Sequence, residues 1–73
     1  MIIVEVFKTD IDDERSAKVI HKELILRFPD YRINFDLDDC DNILRVESSI
    51  GGVNIEHITE LVRSFNYTID ILQ

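Results

Sequence analysis

From Tyr31 to Asp38 the chain alternates without a break. Tyr31, Ile33, Phe35 and Leu37 are apolar, and Arg32, Asn34, Asp36 and Asp38 between them are polar. A period of two over eight residues describes a strand with one face on a core and the other in water, the pattern of an antiparallel sheet covered on one side only. Asp39, Cys40, Asp41 and Asn42 are turn formers, and Ile43 to Glu47 returns as a second strand, so this stretch reads as a hairpin. A sheet of this kind needs a layer over its apolar face, and the rest of the chain has to supply it.

Two segments have the spacing for that role. Asp12 or Asp13 is a suitable helix N-cap, and Ala17, Ile20, Leu24 and Phe28 then recur at intervals of three and four until Pro29 and Asp30 end the run. Asn54 caps a second helix whose buried side is expected to be Ile55, Ile58, Leu61, Val62 and Phe65. Before the first helix, Met1 to Lys8 is rich in Ile and Val and reads as a central strand. After the second, Tyr67 to Leu72 reads as the last one. Ser48 to Val53 holds both glycines, Gly51 and Gly52, and is a loop. No linker, repeat or low-complexity stretch divides residues 1–73, which are expected to form a single domain.

Strand, helix, strand, strand, helix, strand in this length is the split βαβ plan. The fold expected is α+β, a ferredoxin-like βαββαβ sandwich with two helices on one face of a four-stranded antiparallel sheet. Right-handed crossovers set the strand order, numbered along the chain, as 4-1-3-2. That order sends the loop after the first strand, the hairpin tip and the turn before the last strand to the same end of the molecule.

The shared end collects Asp10, Asp12, Asp13 and Glu14 from the first loop and Asp38, Asp39 and Asp41 from the hairpin, with Cys40 among them. With strands about 5 Å apart, the hairpin tip lies roughly 7–10 Å sideways from the first loop. Mutual repulsion at that range is expected to raise some carboxylate pKa values unless cations or helix dipoles compensate. Capping and turn chemistry account for acids at these positions. The alternatives are a divalent cation held by Asp10, Asp12, Asp13, Asp38, Asp39, Cys40 and Asp41, or a basic protein partner.

Several other chemistries fail on their residues. Asp36, Asp38, Cys40 and Glu47 fall at ligand positions of a calcium-binding EF-hand loop, but Asp41 stands where that loop needs glycine and the flanks alternate as strands. His21 and His57 have no second soft ligand at helical spacing and read as edge-of-core or surface residues. No Ser, Cys or Lys nucleophile stands beside a base with an orienting partner, so the chain is not expected to be an enzyme. Gly51-Gly52 is an isolated turn pair that follows no phosphate-binding pattern.

Composition narrows the partners. Fifteen acids against eight bases give a net charge of −7, which disfavours DNA, RNA and anionic membranes, all of which call for Lys and Arg. No apolar run reaches the roughly 20 residues of a membrane helix, and Met1 to Phe7 lacks the features of a signal peptide, so a cytoplasmic location is expected. A lone cysteine forms no internal disulfide. Val19 and Leu26 lie off the main stripe of the first helix, and the first strand is apolar on both faces, with Val4 and Val6 on one and Ile3 and Phe7 on the other. On a sheet with one uncovered face, this hints at a homodimer.

The sequence resembles a heavy-metal-associated domain, the scaffold of small copper chaperones. The resemblance rests on Phe7-Lys8-Thr9-Asp10-Ile11, on Ala17, Ile20 and Leu24, on Asn34-Phe35-Asp36-Leu37 with Asp41 and Val46, and on Phe65-Asn66-Tyr67. It spans nearly the whole chain. In that family a CxxC pair in the first loop chelates Cu(I), and the matching positions here are Asp13 and Ser16. Hard oxygen ligands do not replace two thiolates for a soft ion, so the metal-transfer function is not implied. Tyr67 matches a tyrosine that lies near the metal in some bacterial relatives. Cys40, as one thiol, serves a soft metal only across a dimer or with a partner's cysteines. The expected role is protein contact or self-association without a cofactor, against a divalent-metal binder or a small-molecule module resembling the ACT domain. The ACT reading lacks the expected glycine in Thr9–Asp13.

Overall fold

The computed structural model describes residues 1–38 and 40–72. The elements are β1 (Ile3–Thr9), α1 (Glu14–Arg27), β2 (Tyr31–Asp36), β3 (Ile43–Ser48), α2 (Ile55–Ser64) and β4 (Ile69–Ile71). All strand pairs are antiparallel and the order across the sheet is β2-β3-β1-β4, which is 4-1-3-2 read from the other edge. The βαββαβ, ferredoxin-like arrangement expected from the patterning is the one found.

Strand parity sorts the side chains between the two faces. Phe7, Leu44, Val46 and Ile33 are buried beneath the helices, where they meet Ile20 and Leu24 of α1 and Ile58 and Val62 of α2 in one core. Lys8, Arg45, Arg32, Asn34 and Asp36 have the opposite parity and are exposed on the open face. Val4 shares that face and is 43 % exposed. Ile43 also has open-face parity yet is buried, between its register partners Lys8 and Asp36.

Local chemistry explains where the elements start and stop. Asp13 caps α1 by accepting from the Ser16 amide at 2.9 Å, and Asn54 caps α2 by accepting from the His57 amide at 3.1 Å. Phe28 closes α1 as its C-cap rather than extending it, because the residue before a proline is driven out of the α region; its φ is −130° and its ψ 68°. The Phe28 ring then stacks on Tyr31 at a centroid distance of 5.2 Å. β1 is shifted to Ile3–Thr9 from the expected Met1–Lys8, and β4 is only three residues long against an expected run to Leu72. Gly51 has φ 150°, a backbone state open to glycine, in keeping with a turn.

Candidate functional site

The three loops meet at one end and are hydrogen-bonded together there. Thr9, the last residue of β1, holds the centre of the junction. Its amide donates to the Asp41 carbonyl at 3.1 Å, and its hydroxyl donates to the Asn42 carbonyl at 2.8 Å and accepts from the Ile11 amide at 3.1 Å. Asn42 turns the hairpin back into β3 with a positive φ of 48°, a conformation asparagine tolerates well. On the other flank an Asp10 carboxylate oxygen accepts from the Thr68 amide at 2.8 Å, tying the first loop to the turn before β4. Ile11 seals the junction from below with no exposed surface.

The backbones converge here, but the carboxylates have separate tasks. Asp10 holds Thr68, Asp13 caps α1, and Asp36 accepts from the Asp38 amide at 3.2 Å within its own turn. Asp12 is exposed, and Cys40 is an exposed free thiol. Asp39, counted among the acids of this end, lies outside the described residues. Among the described residues no group of three His, Cys, Asp or Glu side chains is placed to hold a metal ion.

Asp13 departs from the electrostatic expectation in direction. Its pKa lies below the ordinary 3.8, held down first by the Ser16 amide and then by the Ser16 hydroxyl, with a smaller pull from Arg15 against a slight desolvation. A carboxylate receiving two donors is favoured in its charged form. Asp13 and Ser16 are therefore joined by a cap.

Tyr67 is half-buried and packs against the core. His57 is exposed at the other end of the molecule, where its ring nitrogen Nδ1 lies 3.0 Å from Asn54 Nδ2. His21 is half-buried, and its Nε2 lies 2.8 Å from the Ile33 carbonyl on β2. The sequence reading assigned Tyr31 only to the core, yet its hydroxyl accepts from the Asn54 amide at 2.8 Å and donates to the Gly52 carbonyl at 3.4 Å. The position of a tyrosine at the start of a half-wet strand was the available signal.

A cleft of about 430 Å³ runs between α1 and the outer edge of β2, with Glu14, Lys18 and His21 on one wall and Phe35 and Leu37 on the other. This cleft was not anticipated from the sequence. No family model, curated protein or solved structure matches the chain. Among the described residues no helix is long and apolar enough to cross a membrane.

Proposed function

We propose that this chain is a non-catalytic protein-contact module on the plan of a heavy-metal-associated domain, with the Cu(I) site replaced by a helix cap. The observation that carries the reading is the hydrogen bond from the Ser16 amide to Asp13 Oδ2. The two positions that match the thiolate pair stand one turn apart at the mouth of α1, the spacing chelation uses, and they carry oxygen groups engaged with the helix instead. Exposed apolar side chains support the contact role: Val4 on the open sheet face, and Val19, Ile25 and Leu26 on α1. The acids at the loop end serve the fold first and leave a negative surface suited to a basic partner.

Restoring the thiolates tests the family plan. In Cu(I) titrations against a competing chelator, the wild-type chain is expected to retain no stoichiometric metal. The Asp13→Cys/Ser16→Cys double variant is expected to retain one equivalent. A wild type that holds Cu(I) in that competition sinks the lost-site reading, and a folded double variant that holds none sinks the resemblance.

A further inference from the structure

The cleft beside β2 borders a sheet edge whose backbone groups have a determinable direction. The Leu72 amide donates to the Val6 carbonyl at 2.8 Å, so Val6 and Lys8 direct their backbone groups towards β4. Alternation then directs Phe7, Glu5 and Ile3 towards β3, and the registers carry this across the sheet: Arg32, Asn34 and Asp36 bond to β3. Tyr31, Ile33 and Phe35 must direct theirs outward. Two contacts agree with this, since the Tyr31 amide donates to the Phe28 carbonyl at 3.1 Å and the Ile33 carbonyl receives His21. The Ile33 amide and both backbone groups of Phe35 are left directed outward along this edge.

We propose that two copies of this chain pair antiparallel along β2, about a twofold axis at Asn34, to form a continuous eight-stranded sheet. The proposal rests on the contact reading above and names its partner. Among twofold axes placed at a residue that bonds to β3, this register alone sets unlike charges opposite one another. Centred on Asn34, Arg32 of one copy stands opposite Asp36 of the other, and Ile33 stands opposite Phe35. The charged pairs fall on the open face and the apolar pairs on the helix-covered face. Centring on Arg32 or Asp36 opposes like charges, and parallel pairing sets Arg32 beside Arg32.

The hydrogen-bond phase fits the same axis. Ile33 and Phe35 are the outward residues, and they become the bonded pair, each amide meeting the other's carbonyl. The Ile33 carbonyl keeps His21 on one lone pair and accepts the new strand on the second. Only β2 offers this length, since the opposite edge, β4, has three residues. Ile25, four residues after His21 and seven after Lys18, follows them along the cleft side of α1 and is 42 % exposed, an apolar shoulder for the neighbouring copy. Asp38 would face Asp30 of the second copy, which limits the ladder to the residues between them.

Charge exchange tests the register. Arg32→Asp and Asp36→Arg each set like charges opposite one another at both symmetry-related positions, whereas an equimolar mixture of the two variants sets opposite charges at both. Sedimentation equilibrium is expected to show a wild-type dimer, about a tenfold weaker one for each variant alone, and recovery in the mixture. Unchanged far-UV circular dichroism would show that both variants fold. A dimer indifferent to both substitutions, or a mixture that fails to recover, overturns this pairing while leaving self-contact through another surface. A wild type that is monomeric at every concentration also overturns it, and leaves the edge to an extended peptide from another protein.

Discussion

Asp13 organises the first turn of α1 with a single carboxylate. Its lowered pKa makes that contribution dependent on pH, and the sign follows from the direction of the shift. The folded state prefers the ionised group more than the unfolded state does. The stabilisation is therefore complete above the ordinary 3.8 and is lost as pH falls below it through the folded value. An Asp13→Asn variant keeps a capping oxygen but no charge. Thermal midpoints measured against pH should place it below the wild type at neutral pH, with the gap closing in acid below 3.8. A gap of constant size at every pH would remove the charge from the account. The sequence marked Asp12 or Asp13 as the cap, and only the geometry of the Ser16 amide separates them.

At the scale of elements, both helix starts were legible because capping is a local interaction within three residues. Asn54 is the simpler case, accepting the His57 amide while its own amide reaches the Tyr31 hydroxyl. Asn54→Ala is expected to cost about 1 kcal/mol, read by urea denaturation with an unchanged slope, and Asn54→Asp to restore most of it. Strand ends were less legible. Ladder partners far along the chain decide them, so Met1 and Ile2 fall outside β1 and Tyr67 and Thr68 outside β4, despite suitable local composition. The same limit applies to burial at the helix ends: Ile55 is half-buried against the core and Phe65 is 37 % exposed. The outward edge of β2 was present in the alternation from Tyr31 to Asp38. It needed the sheet order and the Leu72–Val6 bond before its direction could be assigned.

For the whole molecule, strand order alone foretold that three loops share one end. It did not foretell that their carboxylates would be divided among amides, since that depends on which backbone donors each turn leaves open. The Asp10–Thr68 bond joins residues 58 apart in sequence. Closing so long a loop has a large entropic cost until the intervening hairpin and helices are in place. The β2–β3 hairpin, by contrast, closes over a short turn. The acidic end should then be the last part of the molecule to knit, after the folding barrier has been crossed. Asp10→Ala is accordingly expected to leave the refolding rate nearly unchanged and to speed unfolding, seen in stopped-flow denaturant jumps as a shift confined to one limb of the chevron. Equal slowing of refolding would place that junction in the nucleus instead. On the expected outcome the strap from Asp10 to Thr68 governs how long the chain stays folded rather than how quickly it gets there.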